Sequence, residues 1–236
     1  MAFNWQSFKT RTLTAAIFVV VMLAGLLLSG LSFILLFTII HFGCWYEFVR
    51  LAKKIKPFTY GYFLPIGLLY ITLPFLLIVD LGFPNTSHWL YQRGYEDAFD
   101  YSPIIPCGII FSIWINDTMA YIVGSTIGKT PLSKISPQKT WEGTIGGVIL
   151  AIVVSFICVQ IFYSGLKVEV WQILMITVIA AVVGTFGDLL ESKLKRMAGV
   201  KDSGHIMPGH GGFLDRFDSL LVAIPFVWLY VYFFMS

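Results

Sequence analysis

The densest chemistry in the chain lies between residues 187 and 219. Gly187-Asp188-Leu189-Leu190-Glu191-Ser192-Lys193-Leu194-Lys195-Arg196 is followed by Lys201-Asp202-Ser203-Gly204-His205-Ile206-Met207-Pro208-Gly209-His210-Gly211-Gly212, and then by Asp215-Arg216-Phe217-Asp218. On a helix over 188–198, Asp188, Glu191, Ser192 and Lys195 line one face by i, i+3, i+4, i+7 spacing. Asp215 and Asp218 are also three apart, at the head of the last apolar run. Carboxylates that converge repel one another, and a divalent cation relieves the repulsion. Carboxylate and phosphate oxygens are typical Mg2+ ligands. Lys195, Arg196, Lys201 and Arg216, interleaved with the acids, suit the neutralisation of a polyphosphate. Phosphoryl-type transfer asks for little more, since positioning and charge stabilisation carry most of the catalysis. The stretch from Pro208 to Gly212 holds three glycines and a proline, which excludes a stable helix and predicts a tight turn with bare backbone. A solvated loop of surface ion pairs accounts for the lysines, but not for this turn between acidic segments.

Two further polar clusters interrupt apolar sequence. Asn116-Asp117-Thr118 sits inside a long apolar run, and on a helix Asp117 shares a face with Ala120, Tyr121 and Gly124. Small residues beside a carboxylate permit close helix approach or leave room for a ligand. A buried Asp bonded to a neighbouring helix is the plainer reading. The second cluster runs from Gly124-Ser125-Thr126-Ile127-Gly128-Lys129 through Ser136-Pro137-Gln138-Lys139-Thr140-Trp141-Glu142-Gly143. Its glycines and hydroxyls predict backbone N–H groups turned to phosphate, with lysines adding positive charge. It is not a P-loop: the spacing falls one residue short and no strand precedes it. A basic solvated loop accounts for its lysines, while Glu142 is harder to place in that reading.

The elements that must position these residues are membrane helices. Of the 236 residues 57% are hydrophobic and 12% charged, against about 25% charged in soluble domains. That leaves too little polar surface to cover a water-soluble globule. Runs long enough to cross a bilayer fall at roughly 12–29, 31–49, 60–81, 103–127, 143–163, 169–187 and 218–236. The expected fold is therefore all-α: a polytopic membrane bundle of about seven spans, with a short cytoplasmic amphipathic helix over 188–198 and the glycine-rich turn. No repeat or low-complexity linker divides the chain. We read 1–236 as one membrane domain, with spans over 1–100 and catalytic spans and loops over 103–236. Cys44, Cys107 and Cys158 lack the spacing of a disulfide framework or zinc site and are expected as small buried apolar residues.

Basic residues set the expected orientation. With the N-terminus inside, Lys9, Arg11, Arg50, Lys53, Lys54, Lys56, Lys129, Lys134, Lys139, Lys193, Lys195, Arg196, Lys201 and Arg216 all face the cytoplasm. Only Arg93 and Lys167 fall outside, so fourteen of the sixteen basic residues share one side. The loop at 82–102, with Tyr91, Tyr95, Glu96, Asp97 and Asp100, suits the outer side. All three polar clusters then lie at inner ends of spans. A cation pathway would instead spread acidic groups through the membrane depth.

Ser192, Lys195 and Arg196, Lys201-Asp202 and Gly204, Pro208-Gly209-His210-Gly211-Gly212, and Asp215-Arg216 with Asp218 closely resemble the hallmark of the phosphatidate cytidylyltransferases. The likeness extends upstream through Gly187-Asp188, Ser136-Pro137, Lys139-Thr140, Glu142-Gly143, Asn116-Asp117 and Ala120-Tyr121, over roughly residues 110–220. Met207 stands where Leu, Ile or Phe is expected, and the N-terminal half is compact beside typical members. The resemblance implies that CTP and phosphatidic acid give CDP-diacylglycerol and pyrophosphate with Mg2+, at the cytoplasmic face of the cell inner membrane. It implies Asp188 and Asp215 as metal ligands, with Asp218 and Asp117 as supporting acids. Lys139, Lys195, Arg196, Lys201 and Arg216 would neutralise phosphates. Ser192, Asp202 and the turn of His210, Gly211 and Gly212 would complete the nucleotide site. It further implies a K+ ion beside the Mg2+ and a homodimer among membrane lipids, and no nucleic-acid partner. A cytidylyltransferase for another lipid phosphate would look much the same, because acyl-facing spans are generically apolar.

Overall fold

A computed structural model describes residues 5–83, 101–162, 168–207 and 211–235. The chain folds into helices: α1 (Trp5–Leu27), α2 (Gly30–Ile55), α3 (Leu64–Gly67), α4 (Leu73–Gly82), α5 (Ile104–Ile127), α6 (Trp141–Phe162), α7 (Val170–Met197) and α8 (Leu214–Phe234). A short 3-10 turn at Tyr60–Phe63 and a π-turn at Leu68–Thr72 join α3 and α4 into one span, Tyr60–Gly82. Among the described residues, six helical spans are long and apolar enough to cross a membrane, and α1 adds the shorter apolar stretch Thr12–Leu27. Together these answer to the expected seven.

Local chemistry explains the breaks. The narrow division between the first two helices falls at Ser29, which caps α2. Its hydroxyl accepts from Ser32 N (3.1 Å), and the Ser32 hydroxyl accepts from Ser29 N (3.0 Å), a reciprocal capping box. In the third span, Pro74 has no N–H to offer the preceding turn. The turn widens there, and Leu73 N–H reaches back to Leu68 O. The Thr72 hydroxyl, at the end of this turn, accepts from Trp45 Nε1 at 2.9 Å and lies 3.1 Å from His41 Nε2 on α2.

Glycines set the closest helix crossings. A Cβ on Gly143 would lie 2.8 Å from Ala120 O and 2.9 Å from Gly124 Cα, and one on Gly147 would lie 2.7 Å from Ala120 Cβ. The pairs Ala120/Gly124 and Gly143/Gly147 thus bring α5 and α6 to backbone contact, as small residues four apart do in membranes. Gly143→Ala should force the helices apart and destabilise the fold by about 1–3 kcal/mol, the usual penalty of overpacking. A thermal melt in detergent checks this, and an unchanged midpoint would show the crossing to be loose. Gly184 and Gly187 do the same between α7 and α8: a Cβ on Gly187 would lie 2.5 Å from Asp218 O and 2.9 Å from Ser219 Cα.

α8 stands near the middle of the bundle. In its most apolar window 56% of residues are buried, against 22% in α6. Phe217, Leu220, Leu221, Ile224, Val227 and Val231 on α8 belong to one core with Ile40, Cys44, Ile78, Ile109 and Ile176. Cys44 is buried as expected, whereas Cys107 is half-buried and Cys158 is exposed.

The segment 188–198 is helical as expected, and it continues α7 without a break. α7 has 28 residues, about 42 Å at 1.5 Å per residue. A hydrocarbon core is roughly 30 Å thick, so the charged end of α7 projects beyond it.

Candidate active site

The three polar clusters meet at one end of the bundle around a cavity of about 580 Å3. Asn116 and Asp117 enter it from α5, Lys139 from the connector before α6, Asp188 from α7, and Asp215 and Asp218 from α8. Tyr121, Ser136, Gln138 and Thr140 complete much of its wall. All five acids and bases singled out as catalytic, Asp117, Lys139, Asp188, Asp215 and Asp218, therefore line a single space.

Helix crossings explain the convergence. The close approach at Gly187 places Asp188 of α7 beside Asp218 of α8. Carboxylate oxygens of Asp188, Glu191 and Asp218 lie within 4.8 Å of one another. Glu191 is fully enclosed, and among the described residues its Oε1 accepts no hydrogen bond. Lys195 forms ion pairs with Glu191, one turn back on its own helix, and with Asp215 Oδ1 at 2.7 Å. Lys139 is ion-paired with Asp188. Five carboxylates thus outnumber the two ammonium groups among them, and burial strengthens their mutual repulsion. Three convergent carboxylates of this kind could hold a metal ion, and oxygen donors suit a hard divalent cation.

Asp215 is held differently. Its carboxylate accepts from Lys195 Nζ (2.7 Å), Gly212 N (2.8 Å) and Ser203 N (2.9 Å), and it lies 2.9 Å from Ser203 Oγ. It joins the loop between α7 and α8 to the acid cluster, while Asp188, Glu191 and Asp218 converge beside it. Lys195, placed by sequence among the phosphate binders, is an internal counter-charge. Arg196 donates to Val200 O (3.2 Å) and secures the end of α7. Lys201, Asp202 and Arg216 are exposed, and Ser192 is buried in α7. Gly212 is buried, and Gly211 adopts φ +85°, where a Cβ would lie 2.5 Å from Asp215 Oδ2. Met207 N donates to Gly211 O at 3.0 Å, while Pro208 and Gly209 of the expected turn lie outside the described residues. His210 lies outside the described residues, as do Arg93 and Lys167.

The connector before α6 departs from expectation. Glu142 accepts from Lys129 N (3.2 Å), Thr130 N (3.1 Å) and Thr130 Oγ1 (2.8 Å). These two N–H groups are turned to a carboxylate of the same chain rather than offered to phosphate. Leu132 N donates to Lys139 O (2.7 Å) and Trp141 N to Thr130 O (2.9 Å), closing a small hairpin that presents Lys139. Glu142 is the staple of that hairpin, which accounts for an acid the sequence left unexplained.

Sequence reasoning missed Glu47. It lies on α2, is 2% exposed, and bonds to Ser203, Phe213 and Leu214. The signal was present: an ionisable residue inside an apolar run needs a partner or a purpose, the rule that drew attention to Asp117.

Known proteins are similar to this chain in sequence. The sequence model of the cytidylyltransferase family matches residues 97–234. The phosphatidate cytidylyltransferase of Staphylococcus saprophyticus is 34% identical over 253 residues, covering 92% of this chain and 96% of its own length. That of Staphylococcus haemolyticus is 32% identical over 252 residues with the same coverage. That of Staphylococcus epidermidis reaches 47% identity over 114 residues, 48% of this chain and 43% of its own. The matched region spans the connector, both acidic helices and the loop between them, and the chain belongs to the cytidylyltransferase family.

Proposed function

We propose that this protein transfers the CMP moiety of CTP to phosphatidic acid, forming CDP-diacylglycerol and pyrophosphate at the cytoplasmic face of the membrane. The observation that carries the reading is the cavity where Asp117, Lys139, Asp188, Asp215 and Asp218 meet at one end of an apolar bundle. A lipid phosphate and a soluble triphosphate can both reach such a place. The curated relatives named above support the choice of substrates, and the distribution of Lys and Arg supports the orientation.

In this reaction an oxygen of the lipid phosphate attacks the α-phosphorus of CTP in line. The new P–O bond forms as the bond to the bridging oxygen breaks, and pyrophosphate leaves with that electron pair. Asp188, Glu191 and Asp218 are the residues that would hold Mg2+, which supplies charge neutralisation of the triphosphate. Lys139, carried by the stapled hairpin, stands beside Asp188 where phosphate charge arrives. Asp215 fixes Lys195 and the α7–α8 loop, keeping the ammonium against Glu191. Asp117 and Asn116 form the α5 wall.

Purified protein given labelled CTP, phosphatidic acid and Mg2+ should yield a labelled liponucleotide and pyrophosphate. EDTA should stop the reaction, and Mg2+ or Mn2+ should restore it. Absence of liponucleotide from well-folded protein under these conditions would overturn the reading.

A further inference from the structure

We propose that Glu47, in the N-terminal half of the chain, is a positioning residue for the transfer reaction, holding the α7–α8 loop and the start of α8 in register with the acid cluster. The inference rests on the function proposed above and extends its machinery to a helix that contributes nothing to the cavity wall.

The carboxylate of Glu47 accepts from Phe213 N at 3.0 Å, Leu214 N at 2.9 Å and Ser203 Oγ at 2.6 Å. Phe213, at the start of α8, makes no capping bond with its own side chain. The first N–H groups of a helix lack partners within it, and a negative charge there is favourable. An enclosed anion 166 residues away in sequence therefore caps the helix that bears Asp215 and Asp218.

The surrounding residues are shaped to this contact. All three atoms nearest to a Cβ built on Gly212 belong to the Glu47 carboxylate, and the two nearest to one on Gly204 do as well. Gly43, one turn back on α2, leaves room for the Phe213 ring. From Glu47 the line of bonds runs through Ser203, whose hydroxyl donates to Glu47 and whose N–H donates to Asp215, then to Lys195 and Glu191. Ser203 Oγ lies within bonding distance of both Glu47 and Asp215. A change at Glu47 is thereby transmitted to the charges of the cluster.

The test compares Glu47→Gln and Glu47→Asp with the wild type. A Gln fits the space but turns an amide N–H toward backbone donors. Two quantities are read on folded protein: the Mg2+ concentration for half-maximal liponucleotide formation, and the Mg2+-induced rise in melting temperature without substrates. Residues that orient metal ligands typically change metal affinity or activity by about 10–100-fold when replaced. Glu47→Gln should raise the half-maximal Mg2+ concentration by that factor and shrink the thermal shift, with KM for CTP moving far less. Glu47→Asp should recover part of both.

A merely structural tie would lower the melting temperature and leave the Mg2+ dependence of the folded fraction as in the wild type, which would overturn the proposal. Should Glu47→Gln fail to fold, Gly212→Ala displaces the carboxylate without removing it. It should produce the same change in Mg2+ dependence, and a wild-type value there would also overturn the proposal. A wild-type protein that makes no liponucleotide counts against the proposed function instead, and the thermal shift still reads the role of Glu47.

Discussion

Asp188→Asn should leave a folded, membrane-inserted protein whose turnover has fallen at least about 10³-fold, the equivalent of roughly 4 kcal/mol of lost transition-state stabilisation. Asp188 stands where the cavity wall and the carboxylate trio overlap, and it is ion-paired with Lys139 of the connector. Asn preserves its volume, so packing beside Gly187 is undisturbed and the melting temperature should stay close to that of the wild type. What disappears is one of the three charges proposed to hold a cation, together with the partner that holds Lys139. Stabilisation of developing charge by fixed groups is usually the largest catalytic contribution, which is why the expected loss is so large. The labelled-CTP assay at saturating Mg2+ measures it. Near-wild-type turnover would remove Asp188 from the cation site.

Gly187→Ala should be nearly as damaging to turnover, though it changes no charge and touches no substrate. Its Cβ would lie 2.5 Å from Asp218 O and 2.9 Å from Ser219 Cα. Both are backbone atoms of α8, so no side-chain rotation can relieve the contact, and the two helices must part or turn. Asp188 and Asp218 would move relative to each other, and a misplacement of about 1 Å at a reacting centre costs on the order of 10²-fold in rate. Overpacking should also destabilise the fold by about 1–3 kcal/mol. Measuring kcat together with the melting temperature separates the two effects. A wild-type kcat would show that the α7–α8 crossing does not set the carboxylate geometry.

The helices themselves were legible because bilayer solvent imposes a simple rule: long apolar runs must become helices that satisfy their own backbone. The acids of 187–219, Asp117 and Lys139 were legible because each breaks that rule. Their meeting in one cavity followed from the positive-inside pattern, which put all three clusters at the same end. Bonds across long sequence separations were harder to foresee. Glu47 sits in so apolar a stretch, Cys44-Trp45-Tyr46-Glu47-Phe48, that the run masks it, and its partners lie more than 150 residues away. Lys195 looked available to phosphate because spacing along a helix shows which face a side chain occupies, not that Asp215 reaches it from α8. Glu142 and the N–H groups of Lys129 and Thr130 were misjudged together, since the hairpin that joins them depends on Pro131 and Thr140 pairing across the connector.

The unbroken length of α7 has a consequence for the lipid substrate. Asp188 lies eighteen residues past Val170, about 27 Å along the helix axis, close to the boundary of a hydrocarbon layer roughly 30 Å thick. A phospholipid head group already rests at that depth. Drawing two fatty chains into water would cost about 0.8 kcal/mol per methylene, on the order of 20 kcal/mol for an ordinary diacyl lipid. With the acids set at this level, the reactant can diffuse sideways to them, and its tails never leave the oil.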